Sequence, residues 1–439
     1  MTNALQSVES WGRFPASKSR LLPIVWSSDS LPDSGGKKIL ARGLGRSYGD
    51  CGLNDNGVLM PTPAMNHLLD FNSQTGVLRC ETGASLDAIL KFAVPRGWFL
   101  PMTPGTKFIT VGGAIANDVH GKNHHRAGTF GRHVRCFELL RSDGSRRICS
   151  PTENSDLFAA TIGGLGLTGL ITWAEFSLRK ISSALIETET IKFGGLDEFF
   201  EISDASDTDF EHTVAWVDCL ASGKNLGRGL FMRGNHAAAG PLTAHRPPKL
   251  GVPIDFPATA LNHLSVKAFN TLYYTQVLGR TTHSAQHYEP FFYPLDGVHH
   301  WNRIYGRRGF FQYQFVVPQT SDASAIREIF ERIARSGQGS FLAVLKMFGA
   351  LASPGLMSFP FPGVTLALDF ANQGARTLEL FRELDRVVLA AGGRFYPAKD
   401  ARMPAECFFQ TYPNAEKFRA FIDPAFSSSF WRRVAQNNL

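Results

Sequence analysis

Short apolar runs alternate with glycine-rich turns between residues 37 and 180 of the chain. Four of these runs have the length of a strand and are bounded by glycine or proline: "KKILARG", "GVLMP", "GVLRCETG" and "GLITWAEFSL". One segment differs, because its apolar positions before Pro95 recur at helical spacing, and these are Leu86, Ile89, Leu90 and Ala93. The pattern predicts short strands, one helix that Pro95 ends, and an arrangement other than a doubly wound parallel sheet.

From residue 182 onward the strand candidates are longer and richer in aromatic residues, as in "HTVAWVDCL" and "RGFFQYQFVVP". Helical spacing returns in "SAIREIFERIARSG". Two further segments, 235–285 and 350–364, mix proline, glycine and apolar residues without a clear period. We expect these two segments to be loops that cover a groove for an apolar chain.

The change of pattern predicts an α+β protein with two domains, because 439 residues exceed the size of most single cores. We expect residues 1–182 to form the first domain. Residues 183–392 are predicted to form a separate domain of antiparallel sheet and helices. The last segment, 393–439, contains a glycine turn, a strand and an amphipathic helix, and we expect it to return to the first domain.

The composition is that of a globular protein, with 44% hydrophobic and 19% charged residues. The net charge of +7 is spread along the chain, so nucleic-acid binding is not expected. No apolar run reaches the length of a membrane span, and the N-terminus lacks the apolar centre of a signal peptide. We expect a cytoplasmic protein or one bound peripherally to a membrane, with the periplasm as the alternative. The six cysteines are widely spaced, which favours reduced thiols over disulfides or zinc ligands.

Three glycine-rich clusters carry the candidate chemistry. The first, "ARGLGRSYGD", follows a strand candidate, and its glycines would let backbone N–H groups face an anion while Arg42 and Arg46 supply charge. A plain surface turn is the alternative for this cluster alone. The second cluster spans Thr103 to Val134, and the third spans Thr161 to Thr172. Three such loops require a long ligand with several polar parts, and a flavin dinucleotide has that form.

Two other motifs in these clusters suggest a different kind of site, but the residues around them do not support it. Gly164, Gly166 and Gly169 form a literal G-x-G-x-x-G, but a strand pattern follows where a Rossmann site would open a helix. His120 and His124 have the spacing of metal ligands on one helix face, yet the residues around Gly121 do not favour a helix. We therefore predict neither a Rossmann site nor a metal site.

The order of the glycine-rich motifs resembles that of the FAD-dependent oxidases of the vanillyl-alcohol-oxidase superfamily, which have a PCMH-type FAD-binding domain. Within that superfamily, six strings resemble the polyprenyl-phosphoribose oxidases: "RGLGRSYGD", "TVGGAIANDVHGKNHH", "WNRIYG", "FQYQFVVP", "SFPFPG" and "YPAKDAR". The resemblance runs in order from about residue 37 to the C-terminus. It implies a two-domain PCMH-type fold with a separate substrate domain.

The resemblance also implies an activity, namely oxidation of the ribose 2-hydroxyl of a polyprenyl-phosphoribose to a 2-keto sugar. This is the first half of an epimerisation to the arabinose form used in cell-wall arabinan. A separate short-chain dehydrogenase/reductase would complete it. One alternative is a flavin oxidase of another sugar or alditol, because fold does not fix the substrate. A second alternative is a non-catalytic protein that binds FAD or lipid.

By resemblance, FAD is bound without a covalent link, since the first loop has Ser47 and Tyr48 where many members have a histidine. Cys51 is a less favoured tether. The residues expected to bind FAD come from the three clusters and the C-terminal motif, and they are Arg42, Gly43, Leu44, Gly45, Arg46, Ser47, Tyr48, Pro104, Gly105, Thr106, Gly112, Gly113, Asn117, His120, Gly121, Gly166, Gly169, Ile171 and Tyr396.

The same resemblance assigns a catalytic group and a substrate wall. Lys399 in "YPAKDAR" is predicted to lie nearest the reacting hydroxyl, with Tyr48 and His120 beside the flavin, and desolvation can bring a lysine pKa into the range of a base. The expected substrate wall consists of Lys122, Tyr305, Gln314, Lys346 and Ala367.

Three positions in this wall and in the flavin domain either allow an alternative role or differ from the relatives. An ion pair with Asp369 is the alternative role for Lys346, which interrupts an apolar run. Ala367 and Asn117 stand where the mycobacterial-type relatives have cysteines, so inhibitors that bond to the thiol at the first site are expected to fail.

Overall fold

The N-terminal strands form two small sheets in this computed structural model, which describes residues 4–248, 250–257, 259–319 and 323–435. The first sheet contains, in spatial order, β1 (Gln6–Val8), β2 (Ser17–Leu21), β4 (Val58–Pro61) and β3 (Ile39–Arg42). The second sheet is antiparallel and contains, in spatial order, β5 (Leu68–Phe71), β6 (Val77–Glu81), β10 (Leu170–Ser177), β8 (Val134–Leu140) and β9 (Arg146–Cys149). The predicted strands of this region are therefore present.

Short helices connect these strands. They are α1 (Leu86–Ala93), α2 (Val111–Ala116), α3 (His124–Ala127) and α4 (Ser155–Thr161), and a small ribbon joins β7 (Trp98–Phe99) to β11 (Arg179–Lys180). The Ser85 side chain caps α1 by accepting a hydrogen bond from the backbone N–H of Ala88. All four of its predicted apolar positions are buried, and the 3₁₀ turn that contains Pro95 follows directly. The prediction for this helix is confirmed.

An eight-stranded antiparallel sheet dominates the rest of the molecule. It contains, in spatial order, β16 (Thr281–His287), β12 (Leu185–Phe193), β14 (Gly229–His236), β13 (His212–Val217), β19 (Ala343–Phe348), β20 (Gly363–Ala371), β18 (Phe310–Val317) and β21 (Arg394–Phe395). A separate parallel pair joins β15 (Leu250–Gly251) to β17 (Val298–His299). The predicted α+β fold is confirmed.

Helices cover one face of the large sheet, and the other face borders a cavity. The remaining helices are α5 (Leu196–Ser206), α6 (His263–Thr275), α7 (Tyr288–Phe292), α8 (Ser324–Ser336), α9 (Ala375–Ala390), α10 (Ala405–Thr411), α11 (Ala415–Arg419) and α12 (Ser429–Ala435). Alternate side chains of β18 point to opposite faces of the sheet. Phe311 and Tyr313 pack against Phe381 of α9, whereas Gln312 and Gln314 line the cavity. This alternation places polar side chains where the site lies.

The prediction of loops over 235–285 is wrong for much of that segment, which contains α6 and β16; residues 249 and 258 lie outside the described part. In α6 only Val266 and Asn270 are buried, whereas Leu264 and Leu272 are exposed. The apolar residues therefore do not follow the buried face, which is why the helical period is not visible in the sequence. The segment 350–364 has no helix or strand before β20 begins.

The C-terminal segment contacts both parts of the molecule. Its strand β21 pairs with β18 in the large sheet. After β21, the backbone N–H of Tyr48 donates to the carbonyl of Ala398, and Phe426 forms a bridge to Ile39 of β3. The Arg433 guanidinium bonds the carboxylates of Asp50 and, at 2.8 Å, Asp400. These contacts place the turn that carries Lys399 against the first glycine-rich loop.

Candidate active site

A cavity of about 550 Å³ lies between the glycine-rich loops and the large sheet. Every residue predicted to bind the cofactor lines it, as do Lys399, Tyr48 and His120. Four of the five residues predicted for the substrate wall also line it, the exception being Tyr305. The fold thus brings together side chains that are more than 350 positions apart in the sequence, such as Arg42 and Lys399.

The first loop has the backbone geometry of an anion cradle. The backbone N–H groups of residues 44–47 donate to no acceptor among the described residues, and Gly45 has a φ of +65° that favours glycine. At its C-terminal end the loop is fixed because the carbonyl of Ser47 accepts from Trp11 and the N–H of Tyr48 donates to Ala398. Consecutive free N–H groups at a cavity wall are suited to phosphate oxygens.

The second and third loops leave room for a ligand beside their backbones. A Cβ added to Gly105 would meet no atom within 4 Å, so the cavity reaches its backbone. Gly166 and Gly169 have φ values of +74° and +143°, which non-glycine residues rarely adopt. Helix α4 precedes this third loop and strand β10 follows it, so the expectation that its G-x-G-x-x-G is not a Rossmann motif is confirmed. The residues present fit a flavin dinucleotide.

The two arginines of the first loop have different roles. Arg46 lies over the ring of Trp11, with 3.9 Å between its guanidinium carbon and the ring centroid. Arg42 donates instead to the backbone carbonyls of Gly52 at 3.0 Å and Glu9 at 2.6 Å. Arg42 therefore orders the loop, and Arg46 remains available to balance negative charge at the cavity.

Lys399 lies at the junction of the loop and the sheet. Its Nζ is 3.8 Å from the centroid of the Tyr48 ring. Desolvation lowers the pKa of Lys399 to about 8, although the charge of Asp369 acts in the opposite direction. Desolvation raises the pKa of Asp369, whose Oδ1 accepts a hydrogen bond of 2.6 Å from the Gln312 amide. A fraction of Lys399 is therefore neutral near physiological pH, and that fraction is the form that can accept a proton.

The opposite wall combines a neutral histidine with two lysines. The Gln314 amide donates to Nε2 of His120 at 3.0 Å, in the tautomer whose Nδ1 carries the proton. Desolvation, with the nearby Lys346, depresses the pKa of His120, so its ring is neutral. Desolvation also lowers the pKa of Lys346 to about 8 and that of Lys122 to about 7. Lys346 forms no ion pair with any described residue, so the alternative of a pair with Asp369 is wrong.

The expectation for Tyr305 is also wrong. Tyr305 ends a 3₁₀ turn, Trp301–Tyr305, and it is not among the residues that line the cavity. There it stacks on Phe310 at 4.2 Å and on Phe341 at 5.7 Å between ring centroids. Packing between these rings fixes the position of the Tyr305 ring.

Sequence reasoning missed several residues of the cavity wall, including Trp11, Tyr273, Asp296 and Gln312. Gln312 carries a usable signal, because it is two positions before Gln314 on the same strand and must share its face. The other three have no local signal, since distant segments of the fold bring them to the cavity.

Cys51 lines the cavity but is unsuited to form a covalent link. Burial raises the pKa of its thiol to about 12, so the nucleophilic thiolate is scarce. Its Sγ lies 4.0 Å from the Asn117 side-chain oxygen.

The described residues contain no helix that is long and apolar enough to cross a membrane.

Comparison with known proteins identifies the flavin domain and the family. Residues 32–150 match the family described as "FAD binding domain". The chain is 39% identical to decaprenylphosphoryl-β-D-ribose oxidase of Mycolicibacterium smegmatis over 97% of this chain and 96% of that protein. It is 34% identical to an uncharacterized protein of the mprA 5′ region of Streptomyces coelicolor, over 80% and 99% of the two chains. A Δ(24)-sterol reductase of Rattus norvegicus is 32% identical over only 25% of this chain and 22% of its own.

The match to the M. smegmatis oxidase extends over almost the whole chain. It agrees with the cavity, which is lined by three glycine-rich loops and by the turn that carries Lys399. The chain is an FAD-dependent oxidoreductase and belongs to the decaprenylphosphoryl-β-D-ribose oxidase family.

Proposed function

We propose that this protein oxidises the ribose 2-hydroxyl of a polyprenyl-phosphoribose of the decaprenylphosphoryl-β-D-ribose type to the 2-keto sugar. The observation that carries the proposal is the position of Lys399, a lysine with a lowered pKa at the junction of the FAD loops and the large sheet. The M. smegmatis relative bears the name of this oxidase.

In this reaction the secondary alcohol loses a hydride from carbon and a proton from oxygen, and it becomes a ketone. Bound FAD supplies the hydride acceptor. Neutral Lys399 accepts the hydroxyl proton, and the Tyr48 ring, 3.8 Å from its Nζ, stabilises the ammonium that results. His120 and Gln314 remain neutral and orient the sugar through hydrogen bonds.

The charge of the wall supports a phosphorylated substrate. Lys122 and Lys346 lie at the cavity, and neither forms an ion pair with a described carboxylate. Leaving ammonium groups enclosed without a counter-ion costs free energy, which a substrate phosphate offsets. We propose that these two lysines bind the phosphate.

The prenyl chain requires an apolar environment, which the surface near the cavity mouth supplies. Of the twelve exposed large apolar side chains in the described part, seven lie between residues 250 and 278. Tyr273 of α6 in this segment also lines the cavity. We propose that this surface makes a peripheral contact with the membrane from which the lipid substrate enters.

The 2-keto product requires a second enzyme to become an arabinose derivative. Reduction of the ketone from the other face inverts the carbon, and a short-chain dehydrogenase/reductase is the proposed partner.

Oxidation of another sugar or alditol is a second candidate function. Ala367 favours it, because its small side chain leaves space at the substrate wall.

Anaerobic stopped-flow absorbance tests this function. Prenyl-phosphoribose should bleach the flavin of the purified protein, and the product should be the 2-keto sugar by mass spectrometry. Bleaching by free sugars or alditols at higher kcat/KM than by prenyl-phosphoribose would favour the second candidate. A flavin that no sugar substrate reduces would contradict both.

A further inference from the structure

A second, much smaller cavity lies behind the substrate wall. Its volume is about 20 Å³, which is sufficient for one water molecule. Asp369 and Tyr305 both line it. These side chains are 1% and 4% exposed, so bulk water does not solvate them.

Each of these two residues has a polar atom without a hydrogen-bond partner. Asp369 uses Oδ1 for Gln312, while its Oδ2 has no partner among the described residues. The hydroxyl of Tyr305 also has none. Orphaned buried polar atoms are rare and costly, so two that share a water-sized cavity indicate a bound water.

We propose that Asp369, Tyr305 and a water molecule bound between them form a counter-ion site for Lys399, with Asp369 as a positioning residue. The proposal rests on the proposed role of Lys399. The water donates to Oδ2 of Asp369, and the Tyr305 hydroxyl holds the water. With both oxygens hydrogen-bonded, the Asp369 carboxylate stays ionised although it is buried.

Asp369 acts on Lys399 without touching the substrate. Gln312 stands between the carboxylate and the substrate cavity, because Gln312 lines that cavity and Asp369 does not. The titratable groups whose charge acts on Lys399 are Asp369, Lys346, Cys51 and His120, and the Tyr48 ring contacts it directly. Among them Asp369 is the one carboxylate, so its charge opposes the desolvation of Lys399 and the repulsion by Lys346.

The water site can be tested without substrate. A crystal structure of the FAD-bound protein should show an ordered water within hydrogen-bond distance of Asp369 Oδ2 and Tyr305 Oη. In Tyr305→Phe, which retains the stacking on Phe310 and Phe341, that water should be lost. A parent structure without this water would overturn the proposal.

The positioning role is tested by the pH dependence of flavin reduction. Neutral Lys399 is the acceptor, so the parental rate rises with pH through the pKa of Lys399. Asp369→Asn keeps the shape and the acceptor for Gln312 but removes the charge, so the half-maximal pH should fall by about one unit. Tyr305→Phe should cause a smaller fall in the same direction.

Tyr412→Phe is the matched control, because it removes another buried tyrosine hydroxyl, which donates to the carbonyl of Phe395, and neither of these two residues lines either cavity. Its pH profile should equal that of the parent.

An Asp369→Asn profile that superimposes on the parental one would overturn the positioning role. If Asp369→Asn does not fold, the Tyr305→Phe profile decides. Failure of prenyl-phosphoribose to reduce the parent would count against the proposed function, while the crystallographic test of the water would stand.

Discussion

At the scale of single residues, the proposed role of Lys399 concerns chemistry more than binding. Replacement of Lys399 by alanine would remove the proposed proton acceptor and leave the glycine-rich loops unchanged. We expect Lys399→Ala to retain FAD and to slow flavin reduction by about 10²- to 10⁴-fold, the usual contribution of one acid–base group. Stopped-flow bleaching at saturating substrate measures this rate.

The matched control is Lys417→Ala, which removes an exposed lysine of the same C-terminal segment. It should be reduced at the parental rate. A Lys399→Ala protein that binds FAD and also reaches the parental rate would remove Lys399 from the mechanism.

Lys346 is expected to affect substrate affinity. A contact with the phosphate is made equally in the ground state and the transition state, so its loss raises KM and leaves kcat nearly unchanged. We expect this pattern for Lys346→Met, with Lys224→Met, at an exposed position, as the control. Because Lys346 must be protonated and its pKa is about 8, the parental KM should also rise above that pH. A Lys346→Met variant with unchanged KM and reduced kcat would contradict the phosphate role.

The residues of the site differ in how far the sequence reveals them. Lys399 and His120 lie within motifs whose resemblance to the family predicts a shared cavity, and both line it. Tyr305 lies in an equally specific string, yet its ring packs on Phe310 because a 3₁₀ turn sets its direction. Asp369 carries no motif, and its relation to Lys399 depends on two strands and a turn that meet only in the folded chain.

At the scale of elements, α6 carries an apolar surface that the protein itself does not cover. Leu264, Ala268 and Leu272 follow one another at a spacing of four, and the two leucines are 75% and 70% exposed. Each leucine transferred into lipid stabilises the bound state by about 1.5–3 kcal/mol at full burial. We expect the double variant Leu264→Ser/Leu272→Ser to bind vesicles of phosphatidylglycerol and phosphatidylcholine at least about tenfold more weakly.

Co-sedimentation with the vesicles measures this binding. The control Leu5→Ser/Leu69→Ser removes two leucines that are 43% and 46% exposed on the N-terminal sheets, and it should bind like the parent. Equal loss in both variants would show that α6 has no particular part in membrane contact. Reduction by a short-chain substrate should be unchanged in both, because neither pair lines the cavity.

Elements with a regular buried face were predictable, and elements without one were not. In α8 the buried residues Ile326, Ile329, Phe330 and Ile333 follow the helical period, and the helix was predicted from it. In α6 several apolar residues, among them Leu264 and Leu272, face solvent, so the same rule fails. The two-residue strand β21 is too short for any period, and its membership of the large sheet follows only from its pairing with β18.

At the scale of the whole molecule, we expect the cavity to hold FAD without a covalent link. The first loop offers no histidine, and the pKa of Cys51 keeps its thiol protonated. We expect acid precipitation to release all of the flavin into the supernatant, where its absorbance is measured. Flavin that remains with the precipitated protein would contradict non-covalent binding, and a Cys51→Ala variant would then identify the link.

The closure of the site by the C-terminal segment has a consequence for biosynthesis. The N–H of Tyr48 donates to the carbonyl of Ala398, and β3 is bridged to Phe426, so segments that are far apart in the sequence meet at the flavin loops. The N-terminal part leaves the ribosome first and can begin to fold there. Its three loops are therefore translated long before the turn that closes them. A ribosome that stalls before residue 399 therefore holds a chain that has its flavin loops and lacks Lys399, the proposed proton acceptor.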